Sequence, residues 1–139
     1  MARDVASRPR NPETAAVPRV RLDILDHVVV FVEDFERALE FYREVLGLPV
    51  RVTHDGWAEF GTRGAGIALH SGGKRSRSAK DYRKGGILPT IRVQSIESAV
   101  AYLQSRGVKV TEINLEAFGR LAVFSDPEGN QLQLLEPHA

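Results

Sequence analysis

The chain has 139 residues, a net charge of +1 and no cysteine. One domain is the default at that length, and roughly 68% of the unfolded surface can be buried, enough for a real core. The charge balance supplies no field for nucleic acid or an anionic membrane, and the lack of cysteine excludes disulfides, thiolate metal sites and cysteine nucleophiles. No apolar run nears the ~18 residues of a membrane span. The first twenty residues lack the apolar stretch of a secretory signal, so the sequence reads as cytoplasmic, with no nucleic-acid or membrane partner.

Residues 1–21, with scattered charge and three prolines, read as a flexible tail before a single domain at 22–137. Leu25 to Val32 is β-branched and aromatic and reads as a buried strand. Asp34 then caps a helix whose apolar positions are Phe35, Ala38, Leu39, Tyr42, Val45 and Leu46, closed by Gly47. Val50 to His54 and Trp57 to Phe60 are strands joined by the hairpin signal Asp55-Gly56. A fourth strand covers Ile67 to His70 and ends a first module over 24–70.

Residues 71–86 form a long Gly-, Ser-, Lys- and Arg-rich linker, the composition of a lid or a solvated connection. Its charges are Lys74, Arg75, Arg77, Lys80, Arg83 and Lys84, and Tyr82 and Trp57 are candidates to stack on a planar ligand. A second module follows over 87–137. Ile87 to Val93 is a strand, and Ser95 caps a helix with Ile96, Ala99, Val100 and Leu103 on one side and Gly107 at its end. With Ser95 set on Asp34, Ile96 falls on Phe35, Glu97 on Glu36, Ala99 on Ala38 and Val100 on Leu39. Five matches, capping chemistry included, indicate an internal duplication. Strands at Val108 to Thr111, Arg120 to Ser125 and Gln131 to Leu135 complete the copy, with a tight turn at Asp126 to Asn130. The fold class is therefore α+β, two tandem βαβββ modules.

Strand side chains alternate between faces. Val28, Val30, Val32, Ile67, Leu69, Ile91, Val93, Leu132 and Leu134 make one wholly aliphatic face, on which both helices must pack. The opposite face carries His27, Val29, Phe31, Ala68, His70, Leu88, Thr90, Arg92, Gln131, Gln133 and Leu135. Apolar surface with a few polar groups is the composition of a ligand cavity. The ligand-binding candidates are His27, Phe31, Trp57, His70, Leu88, Thr90, Arg92 and Gln133. As catalytic groups, His27, His70 and Glu59 are the candidates; an exposed strand carboxylate is the plainer reading of Glu59.

Two stretches, LDHVVVFVEDFERALEFYREVLGLPV (25–50) and FSDPEGNQLQLLEP (124–137), resemble the vicinal oxygen chelate superfamily. That superfamily includes glyoxalase I, extradiol dioxygenases, fosfomycin-resistance enzymes, methylmalonyl-CoA epimerase and the bleomycin-resistance proteins. The resemblance implies paired modules forming an open, cupped barrel with helices outside, commonly as a homodimer. It also implies one divalent metal held from four equivalent strands. Those positions fall on His27, Ala68, Leu88 and Gln133, and the internal repeat independently sets Leu88 on His27. Ala68 and Leu88 cannot ligate, so the usual site is broken.

Three readings follow. The first is a metal-independent binding protein that sequesters or carries an aromatic or antibiotic-like small molecule, with no cofactor. The second is a glyoxalase-type lyase, isomerase or dioxygenase, with Zn, Ni, Mn or Fe on a displaced site of His27, His70 and Gln133. The third is a metal-free enzyme with His27 or His70 as general base.

Overall fold

A computed structural model of the chain describes residues 17–19, 21–61, 63–74 and 86–138. The first module runs β1 (His27–Val32), α1 (Phe35–Glu40), β2 (Val50–His54), β3 (Trp57–Phe60) and β4 (Gly66–Ser71). The second runs β5 (Thr90–Arg92), α2 (Ile96–Ser105), β6 (Asn114–Glu116), β7 (Gly119–Ser125) and β8 (Gln131–Pro137). Each forms a four-stranded mixed sheet, ordered β1-β4-β3-β2 and β5-β8-β7-β6. In both, the first and last strands run parallel and the other pairs antiparallel. The shared topology repeats the duplication read from the sequence. The sheets do not close into a barrel; they form an open cup of two βαβββ modules.

The core lies between helices and sheets. Ala38, Phe41 and Tyr42 from the first helical segment, and Ile96 and Leu103 from α2, pack with Val32, Leu69, Leu132 and Leu134. All of the predicted aliphatic positions except Val28 join this core. The linker side chains from Arg75 to Lys84, Tyr82 among them, and most of the predicted tail lie outside the described residues. No helix among those described is long and apolar enough to cross a membrane.

Three expectations are corrected. The helix predicted over Phe35 to Leu46 is α-helical only to Glu40 and then widens into a π-helical stretch, Phe41–Val45. The Leu46 amide reaches back to the Phe41 carbonyl at 2.9 Å, and the wider turn puts the neighbours Phe41 and Tyr42 both inside. The strand expected from Ile87 begins at Thr90, because Pro89 has no N–H to donate; its carbonyl accepts from Gln133 instead. Val108 to Thr111 contributes only a bridge, Val110 to Phe124, and the edge strand is Asn114–Glu116. Here the Val123 amide donates to the Thr111 hydroxyl at 2.9 Å, so a side chain takes a place that a ladder carbonyl would fill.

The Asp126 to Asn130 turn ties the modules together. Asp126 accepts from the backbone of Glu128 and Asn130, and from the Tyr42 hydroxyl at 2.8 Å. Glu128, 1% exposed, accepts from the amides of Glu33 and Asp34, both at 2.9 Å, just before α1. Both buried carboxylates are thus hydrogen-bonded across the two halves.

Candidate functional site

Pairing in register places four rings in one row across the first sheet. His54 of β2 is opposite Trp57 of β3, Trp57 is opposite His70 of β4, and His70 is beside Phe31 of β1. Directly paired residues share a face. The Phe31 ring lies 5.2 Å from the His70 imidazole, and His70 meets the Trp57 indole edge-on at 5.6 Å. His27 also meets Trp57 edge-on, at 5.6 Å. Beneath them Ala68 is fully buried. The face remains open: Phe31 is 56% exposed, and His70 is exposed.

Both imidazoles are oriented by their neighbours. Nδ1 of His70 lies 2.6 Å from the Ser71 carbonyl, which can only accept, so that nitrogen carries the proton. His27 Nδ1 lies 2.6 Å from Asp26 Oδ2, which turns Nε2 into the nitrogen available to a ligand. The hydrogen bond from His27 holds the Asp26 carboxyl below its ordinary range, and the charges of His27 and Arg51 act in the same direction.

Glu59 departs from the plainer reading. Its side chain is only 15% exposed and lies 3.5 Å from the Arg51 guanidinium. It is drawn inward because it stands between Trp57 and the Gly61 turn on the ligand face, opposite Ala68, which leaves room for it.

The second sheet holds the remaining candidates. Thr90 is opposite Gln133, and Arg92 is opposite Leu135. The Gln133 amide donates to the Thr90 hydroxyl at 3.0 Å, and that hydroxyl donates to the Leu88 carbonyl at 3.1 Å. Among the described residues, no hydrogen bond, ion pair or ring contact joins this group to His27, Phe31, Trp57 or His70.

Two of the four positions at which the family resemblance places a metal supply no donor. Ala68 and Leu88 have no ligand atom, whereas Gln133 uses only its N–H toward Thr90 and His27 uses only Nδ1 toward Asp26. His27 and His70 share Trp57 as neighbour, whereas Gln133 stands in the other sheet. Asp26, His27 and Glu59 do bring ligand atoms within 4.8 Å of one another. The guanidinium beside Glu59 already supplies the positive charge there.

Sequence reasoning missed Asp26, Arg51, His54, Leu121 and Val123. His54 was legible, since a two-residue turn at Asp55-Gly56 sets it opposite Trp57. Leu121 and Val123 share one face of the second sheet with Leu135 and Gln133, with which they pair. Arg51 was not legible, because it sits at a register shift between Val50 and Val52.

A search of curated proteins finds no match. Solved structures with this fold include TnmS3, an antibiotic binding protein from Streptomyces sp. CB03234, at 25% identity and a TM-score of 0.68, covering 86% of this chain and 100% of that one. A glyoxalase/bleomycin resistance protein from the same organism is 26% identical, with a TM-score of 0.62 and coverage of 81% and 99%. The fosfomycin resistance protein FosX from Listeria monocytogenes, solved with Mn(II), shares the fold at 15% identity and a TM-score of 0.68, covering 85% and 93%. The family model described as Glyoxalase/Bleomycin resistance protein/Dioxygenase superfamily matches residues 24–134, both modules together, and the chain belongs to that superfamily.

Proposed function

We propose that this protein binds a small aromatic or antibiotic-like molecule and sequesters or carries it without a metal, in the cytoplasm. The observation that carries this reading is the row of His54, Trp57, His70 and Phe31 across one open sheet face. Such a row gives stacking and edge contacts to a planar ligand, with imidazole nitrogens to orient it. The likeness to an antibiotic binding protein supports the same reading. We propose further that the working form is a homodimer whose second copy covers the open faces.

The test uses protein purified without added metal. Trp57 is the only tryptophan, so its emission reports the face directly. A fused-ring amide such as 2-naphthamide should change that emission saturably, with no stoichiometric Zn, Ni, Mn or Fe by elemental analysis. His27→Ala should keep the fold and weaken binding by about 1–2 kcal/mol, the worth of one hydrogen bond. One metal ion per chain, lost together with binding in His27→Ala, would overturn the proposal.

A second reading rests on the Asp26–His27 pair at 2.6 Å. The carboxylate on Nδ1 fixes the ring so that Nε2 faces outward, and His27 is placed to take a proton from a bound ligand. Exchange of a ligand C–H proton for deuterium, abolished in His27→Ala while binding persists, would establish it.

A further inference from the structure

One cation is built into the floor of the first ligand face. Arg51 belongs to edge strand β2 and occupies the register shift between Val50 and Val52. Its guanidinium lies across Gly61 and Gly66. A Cβ at Gly61 would come within 2.7 Å of Nη2, and one at Gly66 closer still. The two glycines therefore form a slot that a side chain at either would fill. Gly66 is paired directly with His27 in β1. The arginine thus carries its charge from the edge strand across the sheet toward the first histidine.

The guanidinium is fixed and partly open. Nε donates to the Gly61 carbonyl at 3.3 Å, and Nη1 stands 3.5 Å from Glu59 Oε2. The Arg51 side chain keeps 32% of its surface exposed. Its charge is matched by Glu59 and opposed again by Asp26 beside His27. A bare anion would gain from Arg51 and lose to the two carboxylates, and a bare cation would do the reverse. A neutral group with an acceptor next to a donor satisfies both partners at once.

The geometry points to Arg51 and Glu59 as the polar anchor of the ligand face: a fixed donor–acceptor pair that takes a neutral head group, a carbonyl beside an N–H or O–H, while an aromatic body lies against Trp57. This rests on the reading of the face as a small-molecule site. It assigns to an arginine, in place of a metal, the task of holding the ligand's oxygen.

The experiment compares four naphthalenes by Trp57 emission: 2-naphthamide, its N,N-dimethyl derivative, which lacks the donor, 2-methylnaphthalene, which lacks both groups, and the anion naphthalene-2-carboxylate. Wild-type protein should bind the amide about fivefold or more tightly than the dimethyl amide, as for one lost hydrogen bond. Arg51→Met should weaken the amide about five- to tenfold and leave 2-methylnaphthalene unchanged. Equal affinity for amide and dimethyl amide would overturn the anchor, as would an equal loss for all probes in Arg51→Met. Tightest binding by naphthalene-2-carboxylate would overturn the neutral head group. The wild-type comparison needs no variant, so a misfolded Arg51→Met leaves the test intact. Failure of every naphthalene to perturb Trp57 would sink the small-molecule reading and the anchor together, whereas binding without discrimination sinks the anchor alone.

Discussion

Tyr42 is fully buried, and its hydroxyl donates to Asp126 across the two modules. Burial first, and then the Asp126 charge and hydrogen bond, push the Tyr42 hydroxyl well above its ordinary value near 10. The folded chain therefore keeps this proton where the unfolded chain releases it. The resulting stabilisation is fully present below about pH 10 and is lost as pH rises toward the folded value. Tyr42→Phe should cost about 1–2 kcal/mol in urea unfolding at pH 7, because Asp126 loses a buried donor. It should also flatten the decline in stability above pH 10; an unchanged alkaline limb would show that other groups set it. Which side chains share the open face of the first sheet was legible at the same scale wherever alternation is strict, as at His27, Phe31, Trp57 and His70. It was not legible at Arg51, whose direction depends on a bulge, nor at Asp26, whose role comes from the rotamer that meets His27.

At the scale of elements, the two helices begin alike. Asp34 accepts from the Arg37 amide and Ser95 from the Ser98 amide, both at 3.2 Å. The C-terminal strand adds to the second start, where Glu136 accepts from the Ile96 amide at 2.9 Å and pairs with Arg120. That backbone hydrogen bond, followed by the one from Arg120, holds the Glu136 carboxyl below its ordinary range. Ser95→Ala should cost about 1 kcal/mol of stability in urea. No loss would mean that Glu136 alone serves the helix start. Helix starts, the Asp55-Gly56 hairpin and the closing turn are written in local chemistry and were legible. The extents of β5 and β6 were not: Pro89 trims one strand by a missing donor, and Thr111 displaces the other by a hydroxyl that competes for the Val123 amide. The π-helical widening answers to packing of Phe41 and Tyr42, which no capping signal announces.

At the scale of the whole molecule, large apolar side chains remain uncovered. Leu22, Ile24 and Leu25 precede β1 at 93%, 87% and 66% exposure, and Leu115 and Phe118 mark the β6–β7 hairpin at 72% and 59%. Such surface is costly in water and typical of an interface. With β1, β2, β5 and β6 also at the sheet edges among the described residues, a second copy is the occupant that the proposed homodimer supplies. Sedimentation at tens of micromolar should return twice the 15.4 kDa chain mass. A single-chain mass at that concentration would refute the dimer.

The closing turn and last strand also set an order of events during synthesis. β8 is an interior strand, flanked by β5 and β7. The turn before it supplies Asp126 to Tyr42 and Glu128 to the amides ahead of α1. These residues leave the ribosome after almost everything they complete. Until then the first module lacks its tie, and the second sheet has a gap at its middle. A product cut short before Asp126 would expose the unpaired strands and the Tyr42 side of the core together, the surface that chaperones and proteases recognise. Because β8 follows both strands it joins, the second sheet is finished only once synthesis has passed it.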